Sequence, residues 1–152
     1  MKINTRIFGE VDIADEKIVE FPKGIIGFPD LTHFTLIYDE DKGVNAGIRW
    51  LQSIEEPTFA MPVMDPLFVK KDYNPVVEDA IFDSIGGIEE DNVLVLVTVT
   101  VPKEIEKMTA NLKGPIFINA ITKKAIQVIV EGDDNEVKFP VYEILKARKD
   151  GE

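Results

Sequence analysis

The side chains that most often carry out enzyme chemistry are scarce in this chain of 152 residues. There is no cysteine, so a thiolate nucleophile, a disulfide and a cysteine-ligated zinc site are all excluded. The one histidine, His33, lies between a turn and a strand, and no Gly-x-Ser-x-Gly sequence is present to expose a serine. We expect His33 to be an ordinary surface or strand-edge residue. The sequence therefore predicts no enzyme activity.

Carboxylates are abundant, and ten of the 28 lie in short acidic runs at residues 39–41, 55–56, 89–91 and 133–134. Such runs are typical of solvated turns. A pair of carboxylates acting as acid and base in a hydrolase is an alternative that the pattern leaves open. Residues 131–136 could bind calcium weakly, but they do not match a calcium loop, and a hairpin loop is the better interpretation. We predict no metal site and no cofactor.

A loop rich in glycine and proline contains the first candidate partner-binding residues. Gly24 and Gly27 are not followed by the Lys-Ser/Thr pair of a phosphate loop, so they more plausibly allow a tight bend. The large apolar side chains of this loop are expected to pack against something, either a partner or another part of the molecule. These residues are Ile25, Ile26 and Phe28.

The second candidate is the stretch at residues 76–92, which contains six acidic residues and no Lys or Arg. Asn74-Pro75 is a good helix start and Gly86-Gly87 a good stop, and residues Val77, Ile81 and Ile85 would face the core. Phe82 would then point outwards beside Glu78, Asp79 and Asp83 and bind a partner, so that Phe82→Ala would weaken binding and leave the fold intact. The alternative is that another element covers Phe82.

The net charge of -11 argues against direct binding of nucleic acid, because such binding requires clustered Lys and Arg. An RNA-binding small β-barrel is therefore a disfavoured alternative. The charge favours a basic protein partner. No stretch is long and apolar enough for a membrane span or a secretory signal, so we expect a cytoplasmic protein that is monomeric when free.

Alternating apolar residues predict mostly β-strands. We expect a hairpin between residues 11–13 and 18–21, strands at 34–38, 48–53, 58–63 and 93–101, and a hairpin between 116–121 and 125–130. In 93–101 the valines occupy every odd position, while the other face changes from leucine to threonine. A helix is predicted at residues 142–149. The chain should form a single-domain, mainly β, compact barrel-like fold with one or two short helices.

Three ordered segments resemble the FliW family of flagellar assembly factors. They are Phe-Pro-Lys-Gly-Ile-Ile-Gly-Phe at 21–28, Trp-Leu-Gln-Ser-Ile-Glu-Glu-Pro at 50–57 with Met-Asp-Pro at 64–66, and Thr-Ala-Asn-Leu-Lys-Gly-Pro-Ile-Phe-Ile-Asn at 109–119 with Ala-Ile-Gln-Val-Ile at 125–129. The resemblance implies one domain over 1–152 with a loose tail, a β-barrel-like fold and no catalysis.

The resemblance also implies two protein partners. One is CsrA, a small translational repressor that family members antagonise allosterically, without occupying its RNA site. The other is newly made flagellin, which competes with CsrA. Flagellin abundance would thereby set the translation of flagellin. The resemblance assigns no individual contact residues.

Overall fold

The computed structural model describes residues 1–38, 47–132 and 136–150. Within these residues the chain forms eleven strands and one α-helix. The elements are β1 (Lys2–Thr5), β2 (Gly9–Asp12), β3 (Ile18–Glu20), β4 (His33–Tyr38), β5 (Ile48–Ser53), β6 (Ala60–Met64), β7 (Val93–Thr100), β8 (Thr109–Ala110), β9 (Ile116–Asn119), β10 (Lys124–Gln127), β11 (Phe139–Pro140) and α1 (Tyr142–Asp150). Short 3-10 helices span Asp15–Lys17, Pro66–Phe68, Asp79–Ile85 and Ile105–Lys107.

Seven of the described strands close into a barrel, in the order β7-β6-β5-β4-β3-β10-β9, and β9 returns to β7. The β7–β9 pairing is antiparallel, with Leu96 opposite Ile116. β3 and β10 are parallel and share the single pair Glu20 and Lys124. The mainly β, barrel-like fold predicted from the sequence is confirmed.

The barrel interior is a hydrophobic cluster to which each of the seven strands contributes at least one buried side chain. Side chains alternate between the two faces of a strand, so every second residue can point inwards. The interior residues from the strands are Val19, Phe34, Leu51, Val63, Leu96, Ile116, Ile118 and Ala125.

β7 is buried on both faces, which accounts for its run of valines. Leu96 enters the barrel interior. Val97 and Val99 point the other way, into a cluster with Leu145 of α1. Val95 packs into a third cluster beneath the 3-10 helix Asp79–Ile85. Two hydrophobic clusters outside the barrel therefore cover the valine face of β7.

The predicted hairpin between residues 11–13 and 18–21 is wrong. β2 pairs instead with β1 in a separate two-stranded sheet. The hydroxyl of Thr5 donates to the carbonyl of Gly9 at 2.9 Å, and Gly9 has φ 67°. This tight turn fixes the β1–β2 pair. The 3-10 helix Asp15–Lys17 then carries the chain across to the barrel.

Several other elements agree with their predictions. β5 has the predicted bounds, β9 and β10 form the predicted hairpin, and α1 spans the predicted C-terminal helix. The acidic runs at 39–41 and 133–134, and the last two residues of the expected tail, lie outside the described residues. Among the described residues, no helix has the length and apolar character needed to cross a membrane.

Candidate partner-binding surface

The loop after β3 is held in a tight bend by its own backbone. Ile25 and Phe28 exchange N–H to carbonyl bonds of 3.2 and 2.7 Å, and the N–H of Gly24 donates to Phe21 at 2.8 Å. Gly24 has φ 69° and Gly27 has φ 91°. Both values lie in the left-handed region, which glycine adopts without a steric penalty. The predicted role of the glycines as a bend is confirmed.

The three apolar residues of this loop lie in different environments. Ile25 is 3% exposed and packs in the barrel interior, so its side chain is not available to a partner. Ile26 is 52% exposed. Phe28 is 44% exposed, with its ring 4.7 Å from that of Phe59. Of the predicted contacts in this loop, Ile26 and Phe28 therefore remain accessible.

The acidic segment is shorter as a helix than its sequence predicts. The helix is of the 3-10 type and begins at Asp79, and residues 73–78 are not helical. The predicted stop is confirmed, because Gly86 has φ 87° and its N–H donates to Asp83 at 3.2 Å. Ile85 is fully buried, and Val77 and Ile81 are partly buried against the same cluster, as the stripe predicts.

The prediction that Phe82 points away from the core is wrong. Phe82 is 3% exposed, and its ring meets that of Phe117 edge-on, with 4.9 Å between the centroids. A 3-10 helix has three residues per turn, so Phe82 and Ile85 lie on the same face. That face covers the outside of the barrel, where Ile126 of β10 completes the cluster.

The acidic side chains of the segment remain on the surface. Glu78, Asp79 and Asp83 are all exposed. Within the described part of the chain, no Lys, Arg or His forms an ion pair with any of them. Their charges are therefore available to attract a basic partner.

The two predicted segments meet along one groove of about 490 Å³, which we call the β10 groove. One wall is the loop, including Lys23 and Ile26, and Ile81 of the acidic segment contributes on the other side. The strand residues that line it are Ile126, Gln127, Val128 and Ile129. Phe28 lies outside this groove against Phe59. Asp79 borders a separate cavity of about 410 Å³ that Phe82 and Phe117 also line.

Sequence reasoning missed the groove residues Gln127 and Ile129. The sequence did contain a signal for these residues. Apolar and polar residues do not alternate strictly over 125–130, so large apolar side chains fall on both faces of the strand. Alternation of apolar and polar residues would leave only polar side chains on the uncovered face of this strand, but the apolar side chain of Ile129 is 54% exposed. An apolar residue that breaks a strand's alternation is a candidate contact residue.

The pKa values of Tyr73 and Glu55 depart from their usual values, and both shifts have structural explanations. Burial raises the pKa of Tyr73 to about 12, and its hydroxyl donates to the carbonyl of Leu112 at 2.6 Å. His33 is partly exposed at the start of β4, as expected, with Nδ1 3.2 Å from the Glu55 carboxylate. Among the described residues, no three metal-ligating side chains lie close together.

Glu55 joins the turn after β5 to the start of β4. Its carboxylate accepts bonds from the N–H of His33 at 2.8 Å and from the hydroxyl of Thr32 at 2.6 Å. Burial by itself raises the pKa of Glu55. The bonds from the Thr32 hydroxyl, the His33 N–H and ring, and the Thr32 N–H outweigh it and lower the pKa from 4.5 to about 2.

We predict a pH-dependent contribution of Glu55 to stability. Because its pKa is lower in the folded state, the carboxylate stabilises the fold fully above about pH 4.5, and this stability is lost as the pH falls towards 2. Glu55→Gln should cost about 1 kcal/mol at neutral pH, a charged hydrogen-bond contribution reduced by solvent screening. The melting temperatures of the wild-type protein and of Glu55→Gln, measured from pH 7 to pH 2, should converge as the pH falls. A difference that stays constant with pH would contradict the assignment.

A comparison of the fold with solved structures shows the structural class of this protein. A crystal structure of the flagellar assembly factor FliW superimposes on this chain with a TM-score of 0.83 and 27% identity, covering 93% of this chain and 96% of that one. The protein is therefore of the same small, mainly β class, built on a closed seven-strand barrel.

Sequence comparisons give the family. Residues 2–141 match the family model described as FliW protein. A flagellar assembly factor FliW from Lachnospira eligens is 48% identical over 147 residues, which cover 96% of this chain and 97% of that protein. Another from Lachnoclostridium phytofermentans is 44% identical over 155 aligned positions, covering 100% and 99%. The chain belongs to the FliW family of flagellar assembly factors, and the resemblance noted in the sequence is confirmed.

Proposed function

We propose that this protein binds a CsrA-type translational regulator and flagellin in the cytoplasm, and that the two partners compete for it. Membership of the FliW family is the observation that carries the proposal. Flagellin that accumulates would occupy the protein and release the regulator, which would then repress flagellin translation. The protein acts in this scheme as a binding switch and catalyses no reaction.

The charge distribution supports a basic partner of this kind. The net charge is -11, and Glu78, Asp79 and Asp83 are exposed. A repressor that binds RNA must present Lys and Arg to phosphates. Opposite charges on two proteins steer their encounter and raise the association rate.

Calorimetric titration with the CsrA homologue and with flagellin from the same organism tests the proposal. We expect each to bind, and we expect saturating flagellin to weaken the apparent affinity for CsrA. A mixture in which both bind at full affinity would disprove the competition. If neither protein binds, the proposed function is wrong.

We predict that association with the CsrA homologue slows as salt rises. Raising the ionic strength from 0.05 to 0.5 M should lower the association rate on the order of tenfold, because salt screens the steering field. Stopped-flow fluorescence measures this rate. The charge-neutral variant Glu78→Gln, Asp79→Asn, Asp83→Asn is the control and should depend less on salt. Equal salt dependence in the two proteins would show that the steering charges lie elsewhere.

A further inference from the structure

The first half of β7 is hydrogen-bonded to β9 through every second residue. The N–H of Ala120 donates to the carbonyl of Asn92 at 2.8 Å, which continues the β7–β9 ladder by one bonded pair. Bonded and non-bonded pairs alternate along an antiparallel ladder, so Leu94 is bonded to β9. The N–H and C=O groups of Val93 and Val95 therefore point to the other edge of the strand, where β6 lies.

Strand β6 covers only the second half of that edge. Its last residue, Met64, lies opposite Val97. Two residues further on, the partner of Val95 would be Pro66, which has no N–H to donate. The carbonyl of Pro66 is turned away as well, and accepts from the N–H of Val69 at 3.1 Å in a 3-10 helix. The chain after β6 thus leaves the sheet before it reaches the first half of β7.

The result is a short open strand edge at Val93 and Val95. On the β6 side, no part of the described chain forms a hydrogen bond with the backbone of either valine. The polar side chains nearby are engaged elsewhere. Asp65 accepts from the N–H of Leu67 at 2.9 Å, and the Tyr73 hydroxyl donates to the carbonyl of residue 112. An unpaired edge of this kind can accept a further strand.

The open edge borders the cavity of about 410 Å³ described above, which we call the β7 cavity. Its volume lies within the range of roughly 300–1,000 Å³ that is typical of ligand pockets. Residues 93–95 line it, and much of the remaining lining is apolar, including Val77 and the half-exposed Leu67. Alternate side chains of an added strand point to opposite faces, so every second one could contact this apolar lining.

The charges that line the β7 cavity are all negative. Asp65 and Asp79 are its charged lining residues among those the structure describes, whereas the β10 groove has Lys23 in that place. Neither aspartate forms an ion pair with another described residue. A Lys or Arg on the bound segment would offset these two charges, and an acidic segment would be repelled. The cavity therefore favours a segment that is both apolar and basic.

We propose that the β7 cavity is a docking site for an extended segment of a partner protein in which apolar residues alternate with Lys or Arg. The segment adds as a strand along Val93 and Val95, inserts apolar side chains into the cavity, and places a cation beside Asp65 and Asp79. The site and the mode of binding follow from the open edge and the two carboxylates, whichever partner carries the segment.

Amide hydrogen exchange on the free wild-type protein tests whether the edge is open. The amides of Leu94 and Leu96 are bonded to β9 and should exchange slowly, whereas the amide of Val95 between them should exchange much faster. Equal protection of the three amides would mean that the edge is covered, and would overturn the proposal.

A synthetic decapeptide of alternating Val and Lys tests strand addition directly. It should bind and protect the amides of Val93 and Val95, and a decapeptide of alternating Val and Glu should bind much more weakly. The control peptides are two Val-Lys versions, one N-methylated at every Val and the other at every Lys. Only every second residue of an added strand bonds to the edge, so one of the two should lose binding and the other should retain it. Full binding by both would show that no strand is added.

A matched pair of double variants tests the role of the two carboxylates. The variant Asp65→Asn, Asp79→Asn removes both charges from the cavity, and asparagine at position 65 keeps an oxygen that can accept from the N–H of residue 67. The control Asp72→Asn, Asp83→Asn removes two exposed charges that do not line the cavity, so the net charge changes equally.

We expect the cavity variant to bind the Val-Lys peptide about five- to tenfold more weakly than the wild type, and the control to bind almost as well. Equal losses in the two variants would reject the cavity as the site of the basic contact. Peptide binding requires neither the CsrA homologue nor flagellin, so failure of this site and failure of the proposed function are separate results.

Discussion

Replacing Phe82 with alanine is expected to lower the free energy of unfolding by about 3–5 kcal/mol, the usual cost of removing a buried aromatic side chain. Phe82 is 3% exposed and forms an edge-on pair with Phe117. The side chain fixes the 3-10 helix Asp79–Ile85 to the outside of the barrel. For a protein of this size the melting temperature should fall on the order of 10 °C.

The same segment supplies a matched control for this prediction. Val76 is 90% exposed, so Val76→Ala should change stability by less than about 0.5 kcal/mol. Chemical denaturation of both variants measures the difference. A Phe82→Ala protein that unfolds like the wild type and only loses partner binding would restore the surface role predicted from the sequence.

Replacing Gly24 with alanine is the second large expected effect. A Cβ at Gly24 would lie 2.5 Å from the Cα of Pro29 and 2.5 Å from its carbonyl oxygen. Because both atoms belong to the backbone, no rotamer change relieves the clash, and the loop must move. The residue also has φ 69°, which costs a non-glycine residue about 1–2 kcal/mol. Since the buried Ile25 follows directly, displacement of the loop also disturbs the barrel interior.

The variant Gly27→Ala separates the cost of the positive φ from the cost of the steric clash. Gly27 has φ 91°, but a Cβ there would meet nothing within 4 Å. This variant should show only the conformational cost, whereas Gly24→Ala should lose at least about twice as much free energy of unfolding. Denaturant titration of the two proteins gives the comparison. Equal losses would mean that the loop relaxes away from Pro29 without cost.

Local patterns predicted the strands well because alternation is a property of neighbouring residues. The bounds of β5 and the β9–β10 hairpin follow from such alternation and from nearby turn residues. Pairing between distant segments leaves no such local signal. The strand after residue 17 was therefore assigned the wrong partner, although its position was correct.

The candidate site was predicted in part for a related reason. Apolar residues in a glycine-rich loop and an acidic, lysine-free segment marked two regions, and the structure brings them to one groove through Ile26 and Ile81. The orientation of Phe82 depended on whether the helix has 3.6 or 3.0 residues per turn, which apolar spacing over so short a segment does not distinguish.

Closure of the barrel through Glu20 and Lys124 has a consequence for the folding of the chain. Contacts between residues so distant in sequence make folding slow, on the order of milliseconds to seconds. During synthesis, the first barrel strand must wait for β9 and β10 to leave the ribosome before the seam can form. The β10 groove lies beside this seam, so it is completed only when most of the chain has been made. A newly synthesised molecule thus acquires this surface late, together with the last barrel strand.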